Sequence, residues 1–240
     1  MAEAVEVTDL VKHYGRSKRG LNGISLTIGQ GEAFALLGPN GAGKTTFVKC
    51  LLALLKPTSG SIALFGEPVA NPEARRGVGF VPETPRFPEY LSAPEVLRMH
   101  GRLIGMSPAV LDPAIDAQLE AVDLVDAPKR VKAFSKGMVR RLALAQALLG
   151  DPRLVVLDEP TADLDPIGRR NVRNQIAALK ERGTTVVLNS HLLSEVERLC
   201  DHVGIVHKGR LVAEGGIDEL VPEGQDLESV FVDLIEKAGT

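Results

Sequence analysis

Two kinds of hydrophobic pattern follow one another along the chain. Apolar and polar residues alternate at 5–7 and 24–28, which predicts half-buried strands. Continuous apolar runs predict strands buried on both faces. They lie at 33–37, 155–157, 185–188 and 203–206. Helical spacing at 47–55 and 142–149 predicts helices between these strands, the second capped by Gly150. Strands that alternate with helices indicate a largely parallel α/β sheet.

The middle of the chain has a different character. Residues 85–149 contain no convincing strand pattern, and prolines cluster near the start of this segment. We therefore predict a mostly helical subdomain inserted at about 85–150. Near the carboxyl end, apolar residues fall on one face of a predicted helix at about 227–238, which would pack on the core. The sequence is thus interpreted as a single domain spanning 1–240.

Composition narrows the class of protein. The chain has 240 residues, 44% of them hydrophobic and 25% charged, with a net charge of −3, which is ordinary for a globular domain. These values exclude a disordered chain and argue against a generally basic nucleic-acid binder. Cys50 and Cys200 lack the spacing of a disulfide framework or zinc site, which favours a reducing cytosol.

No membrane-spanning or secretory segment is predicted. The longest apolar runs, such as 51–55, are too short to cross a bilayer. The first residues, MAEAVEV, lack the basic and apolar regions of a signal peptide. If the protein acts on a membrane, we expect it to do so through another chain.

Residues 38–46 read GPNGAGKTT and fit the phosphate-binding pattern G-x-x-x-x-G-K-[ST]. Glycines let the backbone wrap closely around phosphate oxygens, and the following helix directs its positive end at the same anion. In this pattern Lys44 reaches the β- and γ-phosphates and the Thr45 hydroxyl binds Mg²⁺. A buried strand before the loop and a helix after it supply the expected context.

A second candidate component is LVVLDE at 154–159, an apolar strand that ends in two carboxylates. Asp158, at the strand tip, is predicted to hold Mg²⁺ through water. Glu159 is placed to accept a proton from the attacking water or to orient it.

The segment FSKGM at 134–138 precedes a predicted helix, and Ser135 suits its N-cap. Arg140 and Arg141, which follow on the same helix, are predicted to lie on its solvated face. His13, His100, His202 and His207 have no convincing partners in the sequence and are predicted to be surface or structural residues.

Taken together, these motifs resemble the nucleotide-binding domain of ATP-binding cassette (ABC) transporters, in the order of that family and over nearly the whole chain. GPNGAGKTT resembles the Walker A loop, LVVLDE the Walker B strand and FSKGM the signature motif. GFVPE at 79–83 resembles the Q-loop and ADLD at 162–165 the D-loop, which includes Asp163. His191 resembles the switch histidine, and Tyr14 the aromatic residue that stacks on adenine.

The resemblance implies the ABC-ATPase form of the P-loop NTPase fold, with an N-terminal antiparallel β subdomain and an inserted helical subdomain. It implies ATP and Mg²⁺ as cofactors, catalytic roles for Lys44, Glu159 and His191, and metal contacts from Thr45, Glu83 and Asp158. The residues implied to contact ATP are Tyr14, Gly38, Pro39, Asn40, Gly41, Ala42, Gly43, Lys44, Thr45, Thr46, Ser135, Gly137 and Asp165.

The same resemblance implies a head-to-tail dimer, with each ATP between the Walker motifs of one subunit and the signature motif of the other. It also implies an integral membrane permease contacted through the Glu83 loop and the helical subdomain. The protein would then lie peripherally on the cytoplasmic face of the membrane. No nucleic-acid partner is expected.

Several features resemble the branch that serves separate six-helix exporters of drugs, lipids, polysaccharides or natural products. They are FSKGM, glutamate at position 83, SHLLSEVERLCD at 190–201 and the closing LESVFVDLIEK. An ABC ATPase in cofactor or metalloenzyme assembly is the alternative that stays open. DNA-repair relatives carry long coiled coils between the Walker motifs, and Lys44 and Asp158 lie too close together in sequence for that. A P-loop kinase or GTPase would have no role for the signature motif and His191.

Overall fold

A computed structural model describes residues 2–15, 18–162 and 164–239. Helices and strands succeed one another in the order that the hydrophobic pattern predicts, with additional strands between them. The elements are β1 (Glu3–Tyr14), β2 (Lys18–Gly29), β3 (Ala33–Leu37), α1 (Lys44–Leu51), β4 (Ser59–Leu64), β5 (Glu67–Pro68), β6 (Val78–Val81), α2 (Ala93–Leu103), α3 (Pro108–Ala121), α4 (Lys136–Leu148), β7 (Leu154–Asp158), α5 (Pro166–Glu181), β8 (Thr185–Asn189), α6 (Leu193–Leu199), β9 (His202–His207), β10 (Arg210–Gly216), α7 (Ile217–Leu220) and α8 (Leu227–Gly239). Short 3₁₀ turns lie at Pro72–Arg75 and Val131–Ala133.

Two sheets organise the described residues. The first is antiparallel, in the order β2-β1-β4-β5. The second has the order β10-β9-β3-β8-β7-β6, and only its edge pair β10–β9 is antiparallel among the described strands. The predicted fold class, a largely parallel sheet with an N-terminal antiparallel unit, is confirmed.

The register of the parallel strands brings their carboxyl ends to one edge. Asn189, the last residue of β8, lies opposite Leu36 of β3 on one side and Asp158 of β7 on the other. Every residue of β3, β7 and β8 is buried. The loops that follow these three strands therefore start side by side from a rigid base.

Three apolar clusters hold these layers together. One joins the antiparallel sheet and α1 to one face of the parallel sheet, with Phe34, Leu36 and Phe47 in its interior. The second covers the opposite face with α5, α6 and α8. The third lies among α2, α3 and α4, in the segment predicted to be helical. Among the described residues, no helix is long and apolar enough to cross a membrane.

The structure differs from the sequence expectations at several elements. The strands β4, β6 and β10 were not expected from the pattern, because each is short or only partly buried and its alternation is weak. The first helix ends at Leu51, before the predicted Leu55. The helix α4 ends at Leu148 with Leu149 as its extended C-cap residue, so Gly150, at φ +90°, lies one position beyond the predicted cap.

Candidate functional site

The loop at residues 38–43 connects the buried strand β3 to α1, which begins at Lys44. Two of its glycines adopt backbone conformations that other residues rarely take, with φ +154° at Gly38 and φ +116° at Gly43. A Cβ atom at Gly38 would lie 2.2 Å from the Val206 carbonyl oxygen, and one at Gly43 would lie 2.5 Å from that of Gly20. The close packing of this loop therefore requires glycine at both positions.

Lys44 lies at the centre of the site. Its Nζ donates to the carbonyl oxygens of Gly38, at 2.5 Å, and Pro39, at 3.4 Å, which holds the ammonium group against the loop. Burial lowers the pKa of Lys44, while the nearby carboxylates of Glu159, Asp158 and Glu83 act in the opposite direction. The structure thus groups one cation with the three acidic residues that the sequence proposed for catalysis and metal binding.

A pocket of about 460 Å³ lies beside this loop. It is lined by Tyr14, Gly20 and residues 40–46. Tyr14, at the end of β1, is 41% exposed, and its hydroxyl lies 3.2 Å from Thr46 Oγ1. An exposed aromatic face next to backbone amides can stack on a base while the loop binds phosphates. The structure therefore brings Tyr14 together with the phosphate loop.

Asp158 is buried at the tip of β7 and is oriented by a residue that sequence reasoning missed. Asn189 Nδ2 donates to Asp158 Oδ1 at 2.6 Å. Burial raises the pKa of Asp158, although the Asn189 bond and the Lys44 charge oppose that rise. Asn189 Oδ1 is buried and has no hydrogen-bond partner among the described residues. No motif points to Asn189, but its place at the end of an apolar run, two residues before His191, was the available signal.

Glu159 and His191 are in direct contact. His191 Nδ1 lies 2.7 Å from Glu159 Oε2, and the histidine side chain is 64% exposed while that of Glu159 is only 13% exposed. The Glu159 backbone is left-handed, with φ +52°, and its N–H donates to the Asn189 carbonyl oxygen at 2.8 Å. The Glu159 carboxylate can therefore act as a proton acceptor beside the exposed His191 imidazole.

Ser135 and Asp165 both cap helices. Ser135 Oγ accepts from Met138 N at 3.2 Å at the start of α4, and Asp165 Oδ1 accepts from Gly168 N at 2.6 Å at the start of α5. Together with Gly137 they line a second pocket, of about 360 Å³. This pocket shares no described residue with the pocket beside Tyr14. Asp163, also part of the predicted D-loop, lies outside the described residues.

The expectation that Arg140 lies on a solvated face is wrong. Its side chain is buried, and the residue is 7% exposed. Its guanidinium group donates to the carbonyl oxygen of Glu159 and, at 2.9 Å, to that of Glu83. The Glu83 residue itself is exposed. Arg140 faces inward because α4 is covered by the third cluster on one side and by the ends of β6 and β7 on another.

Two other sequence expectations also need correction. Arg141 is not free in solvent: its NH1 donates to the Val122 and Asp123 carbonyl oxygens, at 3.0 and 2.7 Å, and forms an ion pair with the Asp123 carboxylate. His202 was expected to lack a partner, but its Nδ1 lies 2.6 Å from Glu32 Oε1. Both partners are distant in sequence, so no local pattern could indicate them.

The residues present fit a Mg²⁺ ion that is held mainly by phosphates and water. In the part of the chain that the structure describes, no group of three or more His, Cys, Asp or Glu side chains could hold a metal ion. Mg²⁺ in phosphate sites uses only one or two protein oxygens, with the remaining ligands from phosphates and water. The buried Asp158 carboxylate and the exposed Thr45 hydroxyl at the start of α1 are oxygen donors of this kind.

Comparisons with known proteins identify the family to which the chain is similar. The family model described as ABC transporter matches residues 21–162. The chain is 45% identical over 84% of its length to an uncharacterized ABC transporter ATP-binding protein of Nostoc sp., and the match spans 61% of that protein. It is 44% identical over 92% of its length to the bacitracin transport ATP-binding protein BcrA of Bacillus licheniformis, spanning 72% of BcrA. It is 40% identical over 92% of its length to the Nod factor export ATP-binding protein I of Rhizobium sp., spanning 73% of it.

A solved structure gives the same result. It is described as the ATP binding subunit of an ABC transporter, with a TM-score of 0.89 and 32% identity, and the match covers 96% of this chain and 99% of the other. The chain spans between about three fifths and three quarters of the length of the Nostoc, Bacillus and Rhizobium relatives.

Proposed function

Because the chain belongs to the ABC transporter family of ATP-binding proteins, we propose that it hydrolyses ATP to drive transport by a separate membrane subunit. The observation that carries the proposal is the meeting of Lys44, Asp158, Glu159 and His191 at the carboxyl ends of β3, β7 and β8. A phosphate loop alone would serve many nucleotide-binding proteins. A buried acidic residue and a carboxylate–imidazole pair beside the loop are suited to hydrolysis.

The chemical roles follow from the positions of the side chains. Lys44 and the loop amides bind the β- and γ-phosphates, and Tyr14 stacks on the adenine. Thr45 and Asp158 hold Mg²⁺, with Glu83 nearby; the bound ion neutralises negative charge on the phosphates. Glu159 accepts the proton of the attacking water, and His191 both orients Glu159 and contacts the γ-phosphate. Lys44 stabilises the charge that develops on the transferred group.

A head-to-tail dimer completes each site in this proposal. Ser135, Gly137 and Asp165 line a pocket of their own, separate in the described residues from the one beside Tyr14. They therefore need a second chain to contribute to an ATP site. Ser135 caps α4, and Gly137 is the second residue of that helix. A helix start with a small residue at this position allows a γ-phosphate to approach closely. ATP would join the two subunits, and its hydrolysis would release them.

Export is the direction we propose. BcrA is named for bacitracin transport and the Rhizobium relative for Nod factor export, and both are 40% identical or more to this chain. The permease would contact the exposed Glu83 loop and the helical subdomain of α2, α3 and α4, and would keep the protein at the inner face of the membrane. None of the comparisons favours the alternative, a role in cofactor or metalloenzyme assembly.

The test is phosphate release from Mg²⁺-ATP by the purified chain, with Lys44→Ala as the inactive reference. The chain is then purified together with the membrane protein encoded beside it, in vesicles. ATP hydrolysis that depends on Lys44 and rises with the membrane protein supports the proposal. Hydrolysis that is equal in both variants contradicts it, and activity that no membrane protein changes contradicts the transport role.

A further inference from the structure

Arg140 is a buried cation whose described hydrogen bonds go to main-chain carbonyl oxygens. It reaches Glu159 and Glu83, which are 19 and 57 residues away in sequence. A buried charge is costly unless its donors are satisfied, and a planar guanidinium group can serve two acceptors at once. The side chain therefore joins α4, the helix capped by Ser135, to two loops that contribute acidic residues to the site.

The contact with Glu159 falls on a strained part of the backbone. A left-handed conformation, here φ +52°, is uncommon for glutamate and persists only where surrounding contacts impose it. The Glu159 N–H is fixed by the Asn189 carbonyl oxygen at 2.8 Å. The Glu159 carbonyl oxygen accepts from Arg140 and, at 3.3 Å, from Ala162 N. The backbone conformation sets the direction in which the carboxylate leaves the chain toward His191.

We propose that Arg140 is a positioning residue for ATP hydrolysis: its guanidinium group fixes the Glu159 backbone, and thereby its carboxylate, relative to the Glu83 loop. This inference rests on the proposed function, since it concerns the rate of the same reaction. Arg140 makes no described contact with the phosphate loop or Tyr14, so nucleotide binding does not depend on it. Because both acceptors are main-chain atoms, replacing the Glu159 or Glu83 side chain leaves these bonds intact.

The first measurement compares ATP hydrolysis by the full chain and by its Arg140→Met variant. We expect kcat to fall by ~10–100-fold, because a small displacement of a catalytic group is enough for a loss of this size. We expect KM for ATP and the affinity for a fluorescent ATP analogue to stay within about twofold of the original values. An unchanged kcat overturns the inference, as does a loss of nucleotide affinity equal to the loss of kcat.

A double-mutant cycle separates positioning from general damage. In the Glu159→Gln background the carboxylate that Arg140 positions has already lost its basic function. Single-turnover hydrolysis by Glu159→Gln should therefore fall less than about twofold when Arg140→Met is added, since the two changes act through one group. An equal fractional loss in both backgrounds would show that Arg140 acts independently of Glu159 and would overturn the inference.

A matched control is available in Arg75, whose NH1 also donates to two carbonyl oxygens, those of Val69 and Asn71, away from the site. Arg75→Met should lower thermal stability without changing kcat. Arg140→Lys gives the comparison even if Arg140→Met does not fold: an ammonium group lacks the planar fork, so we expect its kcat to lie below that of the original chain. Full activity in Arg140→Lys overturns the inference. An original chain that does not hydrolyse ATP overturns the proposed function instead.

Discussion

His191 Nδ1 lies 2.7 Å from Glu159 Oε2, and the two residues follow neighbouring parallel strands of the sheet. The contact links the candidate base to an exposed imidazole at the edge of the site. Glu159 is fixed through its backbone, whereas His191 is the more exposed partner and is accessible to a phosphate. The exposed imidazole and the nearly buried carboxylate therefore lie together at the carboxyl ends of β7 and β8.

Replacing Glu159 with glutamine should slow hydrolysis while preserving ATP binding. Glutamine keeps the shape of the side chain but does not accept a proton at neutral pH, and general-base catalysis contributes ~10²–10⁴ in rate. The variant should also accumulate as an ATP-bound dimer in size-exclusion chromatography. Glu181→Gln, on the exposed end of α5, is the control and should behave as the original chain. A Glu159→Gln protein that stays monomeric at every ATP concentration would contradict the two-site dimer.

Lys44→Ala should abolish detectable hydrolysis and weaken ATP binding. The change removes a charge-assisted contact to phosphate, which is worth roughly 1.5–3 kcal/mol, or about 10–100-fold in affinity. Titration with a fluorescent ATP analogue measures the effect. Lys49→Ala is the matched control, because Lys49 is an exposed lysine on the same helix. Near-normal turnover in Lys44→Ala would mean that residues 38–46 are not the phosphate site.

Gly137→Asp should inactivate the neighbouring subunit's site, because a carboxylate at the start of α4 would repel a γ-phosphate. Gly137→Asp and Lys44→Ala should each be inactive alone. Mixed together, they form some dimers in which one site has an intact Lys44 and an intact Gly137. We expect the mixture to hydrolyse ATP at a rate clearly above the sum of the separate preparations. Full activity of Gly137→Asp alone would argue against any role for the 134–138 segment.

Glu83→Gln should preserve ATP binding and weaken the apparent Mg²⁺ affinity several-fold. Glu83 lies close enough to act electrostatically on Lys44 and Asp158, and removing its charge takes away attraction for the cation. A screened contact of this type is worth ~1 kcal/mol. Hydrolysis is measured against Mg²⁺ concentration, with the exposed Glu89→Gln as the control. An identical Mg²⁺ dependence in both variants would leave Glu83 without a metal role.

Asp201→Asn should lower stability at neutral pH, and the difference from the original chain should disappear in acid. Burial alone would raise the pKa of Asp201, but donation from Lys180 and from the Ala33 N–H brings it below the ordinary value. A lowered folded-state pKa contributes stability above the unfolded-state pKa, and that contribution is lost as pH falls through the folded-state value.

The difference in urea midpoint between Asp201→Asn and the original chain should therefore be constant from pH 5 to 8 and shrink below about pH 4. Asp116→Asn, at an exposed position on α3, is the control for loss of one acidic group. A difference that persists unchanged at pH 3 would mean that the Asp201 bonds to Lys180 and Ala33 do not depend on its charge.

The sequence predicts the parts of the site that local chemistry dictates. The run at 33–37 followed by glycines requires a strand, a tight loop and a helix, and these elements are confirmed. The buried β7 with its terminal carboxylate is equally local. By contrast, the burial of Arg140 depends on carbonyl oxygens that only the folded chain brings to it. Asn189 was missed for the same reason, since its partner Asp158 lies on another strand.

The spacing of the site has a consequence for how such proteins diverge. The phosphate loop follows β3, and the acidic residues Asp158 and Glu159 lie at the end of β7. Because β8 lies between these two strands, the phosphate loop and the acidic residues are two strand separations apart, or roughly 10 Å. Backbone hydrogen bonds fix this distance, whatever side chains occupy the tips. Mutations of the residues that follow these strands can therefore change or abolish ATP hydrolysis while the sheet stays intact. Inactive variants of this chain should consequently persist as folded subunits, and natural selection can alter turnover without rebuilding the sheet.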